Sequence, residues 1–425
     1  MEITAFSGLR LYYAFMPMIV VTMENIIKRK TNPLASLIKK TASLLRETSH
    51  FYSFFFMTPK EKKSIVFYAE RRGHYPYFEG IINELRSKYN QPLSYVTSDP
   101  EDPILSMREP GIGAFYFRGL LPIFFSLVKC RVFVMTLTDL NKFYLKRSIH
   151  KVHYVYVFHS LTSTHMGFRS GSYDYYDSLL CPGPQQLKEI RKYEEIHKLP
   201  RKQLIKAGYY RLERLYDEYH HYNGESRPDV KGTILIAPSW GDKNILESCG
   251  ERLINILLDA NYYVIIRPHS ETVKKHPELI ESLRISYDDN PHFALEVLSH
   301  SNEPLLKADV LISDYSGIAL SYAFGTERPV LFLDVPKKIK NPGYTDLDIQ
   351  PIELSIRSKI GVVLSPDRLE KIPAAIASLI KDALKYKKCI AHLRNEYVYE
   401  FGRSSKIGAR HIMDIYQGKD GKNYP

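Results

Sequence analysis

The chain has 425 residues, 44% hydrophobic and 25% charged, with 25 Pro and 22 Gly spread along its length. That size calls for two or three domains with substantial cores, and the composition excludes collagen-like, low-complexity and wholly disordered chains. Lys and Arg number 59 against 47 Asp and Glu, a formal charge of +12 that favours anionic partners without choosing among phosphate-bearing substrates, nucleic acid and an acidic membrane face.

The first 60 residues read as a helical arm. The apolar stretch Leu11–Met23 is interrupted by Pro17 and falls short of the roughly 20 residues a spanning helix needs. Glu2 and the lack of a small-x-small cleavage site argue against a signal peptide. Basic clusters follow at Lys28–Lys30, Lys39–Lys40, Arg46 and Lys60–Lys63, with the aromatic run Phe51–Phe56 between them. Apolar anchors interleaved with cations suit an interfacial segment on an anionic membrane surface, peripheral and on the cytoplasmic face. The other reading is an ordinary arm packed on the protein body. Cys130, Cys181, Cys249 and Cys389 form no C-x-x-C pair; they read as small buried hydrophobes in a reducing compartment.

From residue 61 the pattern becomes short apolar runs separated by amphipathic stretches. Strands are expected at Ser64–Tyr68, Leu93–Val96, Val132–Met135, Tyr154–Phe158 and Ser178–Cys181, with a helix from Gln185 to His197. The polar stretch His220–Pro228 reads as a linker. The alternation then restarts at Thr233–Ala237, Tyr263–Ile266, Ala308–Ser313 and Val330–Leu333, and a helix-rich end closes the chain from Asp367. This predicts an α/β protein of two halves, 61–222 and 230–425, with ligand in a cleft at the carboxyl ends of the strands.

Four segments carry chemistry. In Ala308–Gly325 a buried strand ends at Ser313, and a helix opens near Gly317. Asp314 and Ser316 are good capping types there, so the free N–H groups make a ready anion site. The competing reading is a plain helix cap. Tyr263–Glu271 delivers Arg267 and His269 to a strand end, two cations able to meet a diphosphate. Ile234–Gly241 ends another strand with Ser239 and the only Trp, Trp240. Tyr154–His165 places His159 just past a strand, where an imidazole could act as general base on a hydroxyl. A His held by backbone at a strand end is the commoner outcome. His159 and His165 lack a carboxylate or Cys at ligand spacing, so no metal and no cofactor are expected.

Phe158-His159-Ser160, Gly208–Arg211, Ile236–Trp240, Arg267–His269, Ala308–Gly317 and Glu327–Phe332, in this order, resemble the CDP-glycerol glycerophosphotransferase family, the TagB/TagF-like transferases of teichoic acid synthesis. The resemblance implies a GT-B fold, two Rossmann-like domains facing a cleft. It also implies a CDP-polyol donor, a lipid-linked or polysaccharide acceptor, and release of CMP. His159 then matches the catalytic base and His269 the donor-site histidine, with Ser239, Arg267, Ser313, Asp314, Ser316, Gly317 and Glu327 on the donor. Ser160 stands where the family has Gly, and the downstream Lys of the family is not obvious. The stretch Ser163–Arg169, with His165 and Arg169 on the acceptor side, looks closer to the Gram-negative branch of capsule and O-antigen loci. Rival readings are a GT-B glycosyltransferase using a nucleotide sugar and a non-catalytic, membrane-attached binder of anionic polymer. No nucleic-acid-binding module is apparent.

Overall fold

The computed structural model describes residues 33–107, 109–224, 227–297 and 301–419. The apolar stretch Leu11–Met23 and the cations Lys28–Lys30 lie outside them. Among the described residues, thirteen strands form two sheets. The first has the order β3-β2-β1-β4-β5-β6-β7, from β1 (Ile65–Ala69), β2 (Leu93–Thr97), β3 (Ile112–Tyr116), β4 (Val132–Met135), β5 (His153–Val157), β6 (Ser178–Cys181) and β7 (Gln203–Lys206). The second has the order β10-β9-β8-β11-β12-β13, from β8 (Thr233–Ile236), β9 (Tyr263–Ile266), β10 (Phe293–Leu295), β11 (Val310–Ser313), β12 (Val330–Leu333) and β13 (Gly361–Leu364).

Central strands such as Ile65–Ala69 and Thr233–Ile236 are buried along their whole length. Helices on both faces require this of a parallel sheet, which is why these strands read as unbroken apolar runs. All pairings of the second sheet are parallel. Its core joins Ile234, Ile236, Val264, Val310 and Ile312 to Leu253, Leu257, Ile372 and Ile376 of the flanking helices. Each such side chain contributes about 1.5–3 kcal/mol of burial.

The chain divides into two compact units. Of the described residues, one comprises those up to Val157, Tyr173–Ser178 and those from Ala409; the other comprises those within Phe158–Ser172 and Leu179–Gly408. In the first unit the helix Pro33–Tyr52 runs into a wide π-turn at Ser53–Met57. Glu47 Oε2 accepts from the N–H groups of Arg118 and Leu120 at 2.9 and 2.8 Å, and His50 Nδ1 accepts from Tyr116 N at 2.7 Å. Burial first, and the Arg46 charge second, pull the His50 pKa down to about 4. The ring stays neutral at pH 7 and keeps its acceptor nitrogen for the strand. Phe54 is buried against Phe115 and Phe124, leaving Phe56 and Met57 as the exposed apolar residues of that run. No helix among the described residues is long and apolar enough to cross a membrane.

Cys130 and Cys181 are buried free thiols, whereas Cys249 is half-buried and Cys389 exposed. The expectation of four buried cysteines therefore holds for two.

Candidate functional site

In the second sheet the chain leaves β8 outward to β9 and β10, then returns to the other side of β8 as β11. The order reverses between β8 and β11, and at such a point loops leave in opposite directions and open a crevice at the carboxyl ends. The turns after β8, β9, β11 and β12 carry the candidate residues.

The crevice floor is tied across the reversal. Asp314, just past β11, is buried and accepts from Ser239 N and Ser239 Oγ, both at 2.9 Å, just past β8. Burial raises the Asp314 pKa, and the Ser239 hydrogen bonds oppose that rise. Tyr315 Oη donates to Asp334 at 2.6 Å, and Arg357 Nη1 donates to the same oxygen at 2.9 Å. The Tyr315 bond, then Arg357, hold that carboxyl below its ordinary range against the cost of burial. The turn is thus fixed before the helix Gly317–Thr326 begins. Ser316 is its N-cap residue in extended geometry, and its hydroxyl makes no capping bond to the helix.

The segment that follows β5 lands on that helix start. A Cβ placed on Gly317 would sit 2.1 Å from Ser160 Oγ and 3.3 Å from Thr162 Cγ2. The loop after His159 is gripped from several sides. Tyr209 Oη donates to His159 O at 3.0 Å, and Gln186 Nε2 donates to Leu161 O at 2.7 Å. Glu353 accepts from Ser163 N and Oγ at 2.8 and 2.6 Å, and Glu189 accepts from Thr164 N and Oγ1 at 2.6 and 2.7 Å. A loop held by two buried carboxylates presents its histidine in one place. The His159 ring meets Phe168 edge-on, with centroids 5.8 Å apart.

Gly317 is therefore closely covered by this loop. Gly317→Ala is expected to cost about 1–3 kcal/mol, the usual cost of overpacking. Ser160 cannot turn away without losing its 3.0 Å contact to Thr162 Oγ1. Adding Ser160→Gly removes the clashing atom and should recover most of the denaturation midpoint. If the double variant unfolds as early as the single one, this contact is not what Gly317 serves.

His269 caps the short helix Ser270–Lys275: its Nδ1 accepts from Glu271 N at 3.1 Å. An acceptor Nδ1 puts the neutral ring's proton on Nε2, so His269 is set as a donor. Its ring lies 6.1 Å from Trp240, whose face is surrounded by ammonium groups. Lys338 Nζ lies 3.0 Å from the Trp240 centroid, Lys275 Nζ 4.4 Å and Lys340 Nζ 5.0 Å. The Lys338 stem packs on Gly241, whose φ of +122° only glycine takes without strain. Burial first, then the charge of Lys340, lower the Lys338 pKa to about 7; Asp314 pulls the other way and Lys275 adds to the lowering. Lys340 N also bonds to Met166 O at 3.0 Å, joining this group to the loop after His159. Arg267 Nη1 donates to Ser301 O at 3.1 Å.

His159's loop, Ser239, Asp314, Ser316, Gly317, His269 and Arg267 are thus gathered along the carboxyl edge of one sheet. Lys275, Lys338 and Lys340 join them without having been anticipated. Three surface-type lysines carry no signal alone, and only the fold gathers them on the single Trp.

Other expected residues are placed elsewhere. Ser313 is buried and its hydroxyl donates to Ala237 O at 2.7 Å, a strand-to-strand bond that leaves no role on a donor phosphate. Glu327 ends the helix that Gly317 begins, about 15 Å along its axis. Its carboxylate is buried and lies 2.9 Å from Arg394, so it is a structural ion pair rather than a donor ligand. His165 is buried, with Nε2 3.0 Å from Ile349 O and Nδ1 3.3 Å from Glu189. Burial works against its charged form, but Glu189 and the carbonyl outweigh that and raise its pKa. It holds the loop and does not face an acceptor. Arg169 is exposed, and its carbonyl accepts from Ser172 Oγ at 2.8 Å. No group of three or more His, Cys, Asp or Glu among the described residues is arranged to hold a metal ion.

Residues 50–338 match the family CDP-Glycerol:Poly(glycerophosphate) glycerophosphotransferase, and the chain belongs to it. Over 247 residues it is 24% identical to the teichoic acid ribitol-phosphate polymerase TarK of Staphylococcus aureus (strain NCTC 8325 / PS 47), a match covering 54% of this chain and 44% of that one. The chain thus spans less than half the length of that curated relative. Among solved structures it resembles the wall teichoic acid polymerase TagF, with TM-score 0.55 and 16% identity over 92% of this chain and all of that one. It also resembles a UDP-N-acetylglucosamine 2-epimerase from Listeria monocytogenes, with TM-score 0.54 and 13% identity over 86% and 98%. The fold is GT-B, with two Rossmann-like sheets.

Proposed function

We propose that the protein transfers a polyol phosphate, glycerol phosphate or a close relative, from a CDP-activated donor to a hydroxyl of a polymer or lipid-linked acceptor, releasing CMP. The observation that carries this reading is the contact of Ser160 with Gly317, which sets the His159 loop against a helix N-terminus. His159 would take the acceptor proton as the oxygen attacks the β-phosphorus. The bond from that phosphorus to the bridging oxygen breaks, and CMP leaves with the electron pair. The N–H groups at Ser316 and Gly317, the Nε2–H of His269 and the lysines on Trp240 would meet the charge on the departing phosphate. Positioned cations and dipoles supply most of the acceleration in such transfers. In this reading residues 61–222 form the acceptor half and residues 230–425 the donor half. Peripheral attachment to the inner membrane face, in the assembly of a capsule or similar envelope polymer, is supported by Phe56 and Met57, exposed beside Lys60.

The test is a donor panel: CDP-glycerol, CDP-ribitol and sugar nucleotides, each with the released nucleotide identified. CMP from a CDP-polyol is expected. A nucleoside diphosphate released from a sugar nucleotide, with no turnover of either CDP-polyol, would replace this reading with a glycosyltransferase.

A further inference from the structure

The amino-terminal edge of the second sheet carries a cavity of about 800 Å³, within the usual range for ligand sites. Thr233 opens β8, Tyr263 opens β9 and Asp309 immediately precedes β11; all three line it. The crevice at Ser239 and Asp314 lies at the opposite ends of these strands, about 13 Å away for four residues. His220, Tyr222, Asn223, Gly224 and Arg227 form part of the cavity wall, and the transfer chemistry has no use for them.

Five cations line the cavity, Arg227, Lys231, Lys307, Arg328 and Lys387, against the carboxylates Glu303 and Asp309. Some are engaged. Lys307 meets Glu303 at 2.5 Å, and Arg328 donates to Leu306 O at 3.1 Å and lies 3.9 Å from Asp309. The Arg227 charge still acts on the Lys307 ammonium, so two like charges are held near each other across a polar space. Such a concentration of one sign attracts anions. Two of the lining tyrosines are covered on one face: Arg227 lies 3.7 Å over Tyr263, and Arg328 lies 4.9 Å over Tyr219. A nucleobase would have to displace a guanidinium to stack on either of these rings, whereas a flexible chain of phosphates and hydroxyls would not.

We propose that this cavity binds a stretch of the acceptor's polyol-phosphate chain, remote from the transfer site. The inference rests on the transfer reading above and adds to it a second hold on the polyanion. A chain held there stays with the protein between additions, so loss of the hold acts on polymeric acceptors and spares single-unit ones.

Arg227 and Lys231 are exposed, so Arg227→Glu with Lys231→Glu leaves the core intact. The control is Lys188→Glu with Lys192→Glu, the same charge change on another exposed face. Calorimetry on the full chain with six-unit glycerol-phosphate and ribitol-phosphate oligomers should show at least a tenfold affinity loss in the first variant and under twofold in the control. CDP-glycerol affinity, followed by Trp240 emission, should stay within twofold in both. KM for a polymeric acceptor should rise about tenfold at unchanged kcat, with single-unit acceptors unaffected. Equal losses in variant and control, no loss in either, or CMP protecting the cavity better than the oligomers would overturn the proposal. A wild-type chain that turns over no CDP-polyol, yet loses oligomer binding only through Arg227 and Lys231, would sink the transfer reading and leave the cavity assignment standing.

Discussion

His159→Ala should lower CMP release from CDP-glycerol by about 10²–10⁴-fold, the usual contribution of a positioned general base. Donor binding should survive, because the groups assigned to the donor lie on other elements. Ser239 and Asp314 stay bonded across the β8–β11 reversal, and the lysines stay on Trp240. The loop should also stay in place, since Glu353 grips it through Ser163, Glu189 through Thr164, and Gln186 and Tyr209 through the carbonyls of Leu161 and residue 159. The readouts are single-turnover CMP release and donor titration through the emission of Trp240, the chain's one tryptophan. The pH profile adds a check that simple loop damage would not pass: the acid limb, where a base is lost by protonation, should disappear in the variant. Turnover within a few-fold of wild type would remove His159 from the chemistry.

The strands legible in the sequence are the ones buried from both sides. Val132–Met135, Ser178–Cys181, Tyr263–Ile266 and Val330–Leu333 were expected with the ends they have. The four strands missed, β3, β7, β10 and β13, are the four sheet edges. An edge strand has one hydrogen-bonded neighbour and partial cover, so its residues need not be uniformly apolar. Gln203–Lys206 and Gly361–Leu364 show that mixture in their burial.

The site divides along similar lines. Residues fixed by local geometry, such as Asp314, Ser316 and Gly317 at a strand-to-helix turn, are visible in one segment of chain. Ser313 stands in that same segment and Glu327 opens the next one, yet one hydroxyl is used between strands and one carboxylate on Arg394, which only the packing reveals. Lys275 and Lys338 are 63 positions apart and meet on an indole because β9 and β12 end at the same edge. No local pattern announces that.

Lys338 should make donor binding depend on pH. In the free protein burial and the neighbouring Lys340 bring its pKa from 10.5 to about 7, with Lys275 adding to the lowering and Asp314 and Glu271 opposing it. Near pH 7 the side chain is therefore close to half protonated. A donor diphosphate beside it favours the ammonium form, so binding above pH 7 takes up a proton and weakens as pH rises, by up to tenfold per unit until the bound-state pKa is reached. Folding stability moves the other way. Between pH 7 and 10.5 the unfolded chain binds the proton that the folded chain has released, so this residue's contribution to stability increases across that window. Lys338→Met should remove both slopes and weaken donor binding about tenfold or more at pH 7, as loss of a charge-assisted hydrogen bond does. Lys338→Arg should keep most of the affinity without the slope, because a guanidinium stays charged throughout. The measurement is donor titration by Trp240 emission from pH 6.5 to 9, beside urea unfolding over the same range. A donor affinity that is flat with pH in the wild type, or a slope that persists in Lys338→Met, would show that the ammonium above Trp240 does not meet the donor.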